Sequence, residues 1–230
     1  MRQKRQKPEE RASESVSPAN KSDATRAFHL DFLHPTQELA WKTYQESDIL
    51  FLIGCAGTGK SHLATGFAIH DVLRKAKERI VITRPVVESG ESLGFLPGDL
   101  NEKILPYMMP IYDCMKRICG TTSRDREIIN ASLEVCPLAY MRGRTFNQSV
   151  FILDEAQNCT HDQIKLAVTR LGQGSKMIIT GDPDQSDLPG RVASEDIISK
   201  LSTIAGVGVV RMKENCIVRH PIIAKILKRL

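Results

Sequence analysis

The sequence of 230 residues lacks any apolar run of the length, about 18 residues, that a membrane-spanning helix needs. Basic residues near the N-terminus are not followed by an apolar stretch, so we do not expect a signal peptide. The six cysteines form no Cys-x-x-Cys pair, and a chain of this length does not need a disulfide scaffold. We therefore expect a cytoplasmic protein without membrane contact, whose reduced thiols mostly fill the core.

Aromatic residues make up only 5% of the sequence, so composition gives little support to base stacking along a polynucleotide. The net charge of +5 is unevenly distributed: residues 1–26 carry +3 (seven basic minus four acidic), and residues 211–230 carry +5 (six basic minus one acidic). The basic excess therefore lies at the two ends. It is compatible with a nucleic-acid contact and equally with solvated chain ends.

Two regions of the chain differ in composition. Residues 1–26 are polar, charged and almost free of large apolar side chains, which predicts a disordered or loosely attached N-terminal arm. Residues 27–230 contain repeated apolar runs, and their number is sufficient for one sizeable domain.

Short apolar runs predict six strands, at 49–53, 79–83, 137–141, 150–153, 176–180 and 207–212. Helices are predicted at 60–76 and 101–118, and from a Thr160-x-x-Gln163 capping box to about Gly172. The segment 88–100 is typical of a loop, and 222–230 has an apolar helical face. Strands alternating with helices predict an α/β fold with a mostly parallel sheet and right-handed crossovers.

One segment between a predicted strand and a predicted helix matches the phosphate-loop pattern G-x-x-x-x-G-K-[ST] in full: Gly54, Cys55, Ala56, Gly57, Thr58, Gly59, Lys60 and Ser61. Glycines let backbone N–H groups curl around phosphate oxygens, and the N-terminus of the following helix attracts the same anion. Lys60 is expected to bridge the β- and γ-phosphates, and the Ser61 hydroxyl to ligate Mg²⁺. The sequence therefore predicts binding of ATP with Mg²⁺.

Two adjacent carboxylates follow the buried strand at 150–153. Asp154 is expected to hold Mg²⁺, directly or through water. Glu155 is placed to act as the general base that polarises an attacking water. A strand that ends in acids is by itself common, but its pairing with a phosphate loop favours hydrolysis over phosphate transfer to a small molecule.

Two glutamines complete the predicted site. Gln185 ends the stretch Gly-Asp-Pro-Asp-Gln at 181–185 and can hydrogen-bond a γ-phosphate, with Asp182 positioning either Gln185 or the water. Gln37 precedes the first strand by about a dozen residues, and its amide could recognise adenine through a paired donor and acceptor. A tight turn at 181–185 and a surface glutamine at 37 are the structural alternatives.

These features, in this order, resemble the ATPase core of superfamily 1 helicases. Four further stretches are similar to the PhoH-like family: Thr-Arg-Pro-Val at 83–86, Leu-Gly-Phe-Leu-Pro-Gly at 93–98, Pro-Leu-Ala-Tyr-Met-Arg-Gly-Arg-Thr at 137–145 and Val-Arg-His-Pro at 218–221. The resemblance covers about residues 30–228 and implies a RecA-like P-loop ATPase domain. Helicase-like and RNA-linked roles are proposed for some members of that family.

The sequence departs from the family pattern in two respects. Cys216 stands near the start of the Val-Arg-His motif, where the family usually has an acid. The PIN-type nuclease domain that is fused to some members is absent from this sequence, so the resemblance does not imply nuclease activity.

The resemblance also implies that the predicted ATP site is only half complete. Helicases of superfamily 1 place ATP between two RecA-like domains, and the second supplies an arginine to the γ-phosphate. We therefore expect a second copy to complete the site, in a closed homo-oligomeric ring for which a hexamer is favoured. Arg219 is the candidate for the arginine that acts across the interface, unless it only pairs with a nearby carboxylate.

Arg84, Arg142 and Arg144 are the candidates for contacting RNA or single-stranded DNA. They lie near predicted strand ends, where the ligands of open α/β sheets gather, and their guanidinium groups suit phosphate. Structural salt bridges would explain them as well.

Three functions compete at this point. The first is ATP hydrolysis coupled to RNA or single-stranded nucleic acid. The second is an oligomeric binding module that ATP assembles, with slow turnover. A P-loop kinase is the third and is less favoured, because no lid over an acceptor site is evident.

Overall fold

The computed structural model describes residues 30–85, 100–118, 123–185 and 193–218. The predicted arm, most of the predicted loop at 88–100 and the predicted C-terminal helix lie outside these ranges, as does Arg219. None of the helices in the described part of the chain is both long and apolar enough to cross a membrane.

The described chain forms six helices and six strands, with short 3₁₀ turns between them. The helices are α1 (Pro35–Glu46), α2 (Lys60–Leu73), α3 (Leu100–Ile118), α4 (Ser123–Ser132), α5 (His161–Val168) and α6 (Ala193–Leu201). The strands are β1 (Ile49–Gly54), β2 (Arg79–Thr83), β3 (Leu133–Val135), β4 (Ser149–Leu153), β5 (Lys176–Gly181) and β6 (Val207–Met212).

The strands form one sheet in the order β3-β2-β4-β5-β1-β6, and every pairing between them is parallel. Parallel strands in series need crossover connections, and α2 provides the one between β1 and β2. Because all strands point the same way, their carboxyl ends lie along one edge of the sheet, which we call the carboxyl edge. Ligands of open α/β sheets bind at such an edge.

The sheet separates two apolar layers, and alternate residues of each strand face opposite layers. Leu50 and Leu52 of β1 pack with α1, α2, α3 and α4, whereas Phe51 and Ile53 pack with α5 and α6. Burial on both faces explains why these strands are continuous apolar runs rather than alternating ones. The predicted α/β fold with a mostly parallel sheet is confirmed.

The predicted strand at 137–141 is wrong. The sheet takes up 133–135 instead, and the backbone N–H of Cys136 makes the last bond, to the carbonyl of Ile82. Pro137 has no N–H with which to continue the ladder. The chain leaves the sheet there and forms a 3₁₀ turn at Leu138–Met141, in which Tyr140 N–H bonds the carbonyl of Pro137.

Candidate functional site

The phosphate loop joins β1 to α2 at the carboxyl edge. Gly54 has a φ of +154°, and a Cβ there would lie 1.9 Å from the carbonyl oxygen of Met212 on β6, so no larger residue fits. Gly57 and Gly59 have φ values of +83° and +89°, the left-handed region that favours glycine. Gly59 precedes the first residue of α2, so the helix N-terminus points at the loop, as anion binding requires.

Lys60 folds back over the loop that it follows. Its Nζ donates to the carbonyl oxygens of Gly54, at 2.5 Å, and Cys55, at 2.9 Å. Burial lowers the pKa of this ammonium, and the carboxylates of Asp182 and Glu155 act against that shift. The lysine is thus a partly desolvated cation beside the helix N-terminus, a strong local attraction for phosphate.

Ser61 and Asp154 are in direct contact, although 93 positions separate them in the chain. The Ser61 hydroxyl donates to Asp154 Oδ1 at 2.7 Å, and the Thr180 hydroxyl reaches the same oxygen at 2.5 Å. Asp154 is buried, and its N–H extends the pairing of β4 with β2 by bonding the carbonyl of Thr83. The two predicted metal ligands are therefore in contact. The hydroxyl of Thr180 also lies at this contact, which the sequence did not predict.

Glu155 is held by two side chains, one on each carboxylate oxygen. Arg84 Nη2 lies 3.0 Å from Oε1, and Gln157 Nε2 donates to Oε2 at 2.6 Å. The oxygen of the Gln157 amide accepts the N–H of Asp182 at 3.0 Å, so it ties the end of β4 to the end of β5. Glu155 itself has a φ of +57°, a conformation that costs a non-glycine residue about 1–2 kcal/mol.

Asp182 and Gln185 lie after β5: Asp182 immediately precedes a short 3₁₀ turn, and Gln185 is the last residue of that turn. The carboxylate of Asp182 accepts the N–H of Asp184 at 3.2 Å through Oδ1, whereas its buried Oδ2 has no hydrogen-bond partner in the described chain. Burial raises the pKa of Asp182, and nearby Lys60 partly offsets the rise. Gln185 is exposed, and its N–H bonds the carbonyl of Asp182.

Gln37 lies at the start of α1, buried against the phosphate loop. Its Nε2 donates to the carbonyl of Thr58 at 3.3 Å, and its Oε1 accepts the N–H of Leu33 at 2.8 Å. The amide of Gln37 thus holds the phosphate loop against the start of α1. The predicted contact with adenine stays a prediction.

Most residues predicted for the nucleotide site line one cavity of about 470 Å³: Gln37, Ala56, Gly57, Gly59, Lys60, Ser61, Asp154, Glu155 and Gln185. Gly54, Cys55 and Thr58 of the phosphate loop are not among its lining residues. Lys60 and Arg117 supply the permanent positive charges among the described residues that line it, and Leu33 and Val218 supply exposed apolar surface. Arg117 comes from α3, where no motif marks it, so sequence reasoning missed it. Gln157 was missed too, although its place two residues after Glu155 at a strand end was a usable signal.

The three arginines predicted to contact nucleic acid have different surroundings. Arg84 is paired with Glu155. Arg144 forms an ion pair with Glu134, and its guanidinium lies 4.7 Å from the ring centre of Phe146. Arg142 is exposed beside Tyr140, whose side chain is 56% exposed. The structural alternative therefore has most support at Arg144 and least at Arg142.

Cys216, the departure from the family pattern, is buried near the start of α1. Its Sγ lies 3.5 Å from both His34 Nδ1 and Thr36 Oγ1. The five cysteines in the described part of the chain are all free, and four of them are buried, which agrees with the expected role as core residues.

Comparisons with known proteins identify the family and the fold of the chain. The family described as PhoH-like protein matches residues 30–230. A PhoH-like protein from Bacillus subtilis (strain 168) is 48% identical over 186 residues, which are 80% of this chain and 58% of the relative. Protein PhoH from Escherichia coli (strain K12) is 42% identical over 182 residues, which are 76% of this chain and 51% of the relative.

The chain thus spans little more than half the length of these curated relatives. A solved structure, the large terminase of the HK97 bacteriophage, has the same fold with a TM-score of 0.54 at 13% identity; the match covers 86% of this chain and 47% of the terminase. A RecA-like P-loop ATPase fold, a complete phosphate loop in contact with the acidic strand end, and the family match over 30–230 lead to one assignment. The chain belongs to the PhoH-like protein family.

Proposed function

We propose that this chain hydrolyses ATP to ADP and phosphate with the help of Mg²⁺, and that a single-stranded polynucleotide bound at the carboxyl edge stimulates the reaction. The observation that carries the proposal is the 2.7 Å contact between Ser61 and Asp154. It joins the phosphate loop to the strand end that presents Glu155. Binding and hydrolysis thus share one cavity.

The triphosphate fits the loop between Gly54 and Ser61. Backbone N–H groups and the N-terminus of α2 favour an anion there, and Lys60 is close enough to the loop to turn toward phosphate oxygens. Leu33 and Val218 are 72% and 40% exposed and line the same cavity, so they can cover the faces of a purine ring. Gln37 would then contact the edge of adenine while it holds the loop.

The residues at the Ser61–Asp154 contact suit Mg²⁺. A serine hydroxyl and a buried aspartate are hard oxygen donors, the type this ion selects, and a phosphate loop adds the oxygens of its nucleotide. When bound, Mg²⁺ neutralises charge on the phosphate oxygens. Ser61 and Asp154 are the residues that would hold it.

Hydrolysis requires a base beside these ligands, and Glu155 is the next residue in the chain. In the proposed step a water oxygen attacks the γ-phosphorus while a water proton passes to the Glu155 carboxylate. The bond between the γ-phosphorus and the bridging oxygen breaks, and ADP and inorganic phosphate leave. Gln185, exposed on the cavity wall, can donate to the γ-phosphate or orient the water.

The proposed polynucleotide lies over the ends of β3 and β2. Arg142 and Tyr140 are exposed there, and Arg84 follows on the next strand. Guanidinium groups pair with phosphates, and an exposed aromatic ring is a surface on which a base can stack. Either RNA or single-stranded DNA would satisfy this chemistry.

We further propose that residues 27–230 form the ATPase domain, that 1–26 form an arm, and that the protein works in the cytoplasm. The start of the family match at residue 30 supports the boundary. Free thiols at all five described cysteines support a reducing compartment. A homo-oligomeric ring, with a hexamer favoured and Arg219 reaching the neighbouring site, completes the proposal.

The alternative function, a module that ATP assembles and that turns over slowly, has one observation in its favour. Both oxygens of Glu155 are held by Arg84 and Gln157, an arrangement that restrains the base. Stimulation by a polynucleotide separates the two functions, since only the first requires it.

The test is phosphate release by the purified protein with ATP and Mg²⁺, alone and with oligo(U) or oligo(dT), at two salt concentrations. We expect hydrolysis that one of the oligonucleotides increases, with an affinity that falls as salt rises. Lys60→Ala should abolish nucleotide binding, while Lys42→Ala, at an exposed position of α1, should behave like the parent protein. A parent protein that releases no phosphate under any of these conditions would refute the proposal.

A further inference from the structure

The ion pair between Arg84 and Glu155 joins a predicted polynucleotide contact directly to the predicted general base. The distance between Arg84 Nη2 and Glu155 Oε1 is 3.0 Å, and the two side chains are 23% and 32% exposed. The pair is thus neither sealed in the core nor free in solvent. A ligand that approaches the carboxyl edge can reach the guanidinium.

Arg84 lies between the catalytic strand ends and the outer edge of the sheet. It directly follows Thr83, which pairs with Leu153 on the β4 side. On the other side, β3 pairs with β2 and leads into the exposed turn with Tyr140 and Arg142. A chain of phosphates that crosses this turn toward β4 reaches Arg84 before it reaches Glu155.

Phosphodiester and carboxylate groups compete for the same guanidinium. Both groups offer two oxygens that match its forked donors. An arginine that binds a phosphate in this way can therefore no longer hold its carboxylate partner in the same arrangement. The other contact of Glu155, from Gln157, does not involve Arg84 and would remain. Loss of the ion pair would therefore free Oε1 while the side chain stays near the nucleotide cavity.

We propose that Arg84 is a positioning residue that restrains Glu155 until a polynucleotide phosphate replaces the Glu155 carboxylate at its guanidinium. Binding of a polynucleotide at this surface then sets the rate of ATP hydrolysis. This inference rests on the proposed function and adds its coupling device. Glu155 has a left-handed backbone conformation, with a φ of +57°. This is consistent with such a restraint, because an unfavourable conformation persists only where its surroundings hold it.

The experiment compares Arg84→Ala with the parent protein in steady-state phosphate release, without polynucleotide and with saturating oligo(U) or oligo(dT). We expect the basal kcat of Arg84→Ala to rise by about five-fold or more, the lower end of usual coupling between sites. The KM for ATP should stay unchanged, and the stimulation ratio should fall toward one. Arg84→Lys, which keeps the charge but not the fork, should lie between the two proteins.

Arg79→Ala is the matched control. Arg79 starts the same strand at its opposite end and pairs with Glu134 at a distance of 3.7 Å, far from the carboxyl edge. Its basal rate should equal the parent's, and the basal rate is the quantity it controls for, because Glu134 also pairs with Arg144. Retained binding of a fluorescent ATP analogue and an unchanged circular dichroism spectrum show that Arg84→Ala is folded.

The outcomes separate this inference from the proposed function. A basal rate of Arg84→Ala that falls to the level of Glu155→Gln means that Arg84 holds the base in its working position, and the inference is wrong. An unchanged basal rate also overturns it. If the parent hydrolyses ATP but neither oligonucleotide stimulates it, polynucleotide as the releasing ligand is excluded, whatever the variants do. If the parent releases no phosphate, the proposed function itself has failed.

Discussion

At the scale of single residues, the three carboxylates of the site differ in what surrounds them. Asp154 receives two hydroxyl groups, and Glu155 receives a guanidinium and an amide. Asp182 has one oxygen bonded and the other buried without a partner in the described chain. In the proposed mechanism these acids have separate tasks: Asp154 holds a cation and Glu155 accepts a proton, whereas Asp182 lines the cavity at a cost in stability.

Asp182→Asn should stabilise the folded protein at neutral pH. Because burial raises the pKa of Asp182, the folded state is destabilised wherever this group is charged. The cost is absent below the ordinary pKa of 3.8, where the group is protonated in both states, and grows to its full size above the raised pKa. We expect a gain of at most about 1 kcal/mol at pH 7, because the amide removes the desolvated charge but still leaves a polar atom in place of the unpaired oxygen.

Urea unfolding of both proteins between pH 4 and pH 8 measures this effect. The advantage of Asp182→Asn should shrink as the pH falls. Glu46→Gln, a change at an exposed position of α1 away from Asp182, is the control and should leave the unfolding free energy nearly unchanged. A less stable Asp182→Asn protein at pH 7 would show that the attraction of Lys60 outweighs the desolvation of the carboxylate.

The sequence predicted the residues that a motif marks and missed those that only the fold brings near. Ser61 and Asp154 were recognisable because a phosphate loop requires a metal carboxylate at a nearby strand end, here the end of β4, which β5 separates from β1. Thr180 and Arg117 were not, because β5 and α3 reach the cavity through tertiary packing that no local spacing encodes. Arg84 was predicted as a phosphate contact, and its pairing with Glu155 could be seen only once β2 and β4 were placed side by side.

At the scale of elements, local chemistry decided which predictions were accurate. The start of α5 was predictable because Thr160 and Gln163 form a reciprocal capping box, which the structure contains in full. The helix ends at Val168, four residues before the predicted Gly172. A Cβ at Gly172 would lie 2.6 Å from the carbonyl of Phe146, so close packing of the loop, not a helix cap, explains that glycine.

The outer part of the sheet was the least predictable region. β3 has only three residues, Leu133–Val135, all partly buried, and it directly follows α4. Such a strand gives almost no periodic signal, whereas the more apolar 137–141 resembles a strand in composition. Proline at 137 was the usable warning, because it cannot donate to a sheet ladder.

At the scale of the whole molecule, the central strands fixed the fold class, since each is an apolar run buried on both faces. The oligomeric arrangement could not be predicted in this way, because no sequence pattern within one chain shows whether a second copy contacts the carboxyl edge. The exposed apolar residues Leu33 and Val218 beside the nucleotide cavity are compatible with cover by a second copy. Arg219, outside the described residues, immediately follows Val218 in the chain.

The shared-site proposal predicts that two inactive variants restore each other. Lys60→Ala cannot bind nucleotide but offers Arg219, and Arg219→Ala has the reverse defect. In an equal mixture of freely exchanging subunits, about a quarter of the sites in a closed ring combine an intact loop with an intact neighbour. The mixture should therefore regain up to that share of the parent's rate, and the rate per subunit should depend on protein concentration.

A mixture of Arg219→Ala with the Lys60→Ala/Arg219→Ala double variant is the control, and it should show no recovery. If Arg219 only pairs with a carboxylate of its own subunit, the first mixture will be no more active than its components. In that case Arg117, which lines the cavity from the same chain, becomes the candidate for contacting the phosphates.

The central claim is that the acidic end of β4 makes the phosphate loop a hydrolytic site, with Glu155 as the base. The most direct measurement is the affinity for ATP and the rate of phosphate release of Glu155→Gln, beside Glu46→Gln at an exposed position as the control. We predict that Glu155→Gln binds ATP with the parent's affinity and loses at least about a hundred-fold in turnover, the usual contribution of a general base. Turnover at the parent's rate by Glu155→Gln would contradict the account.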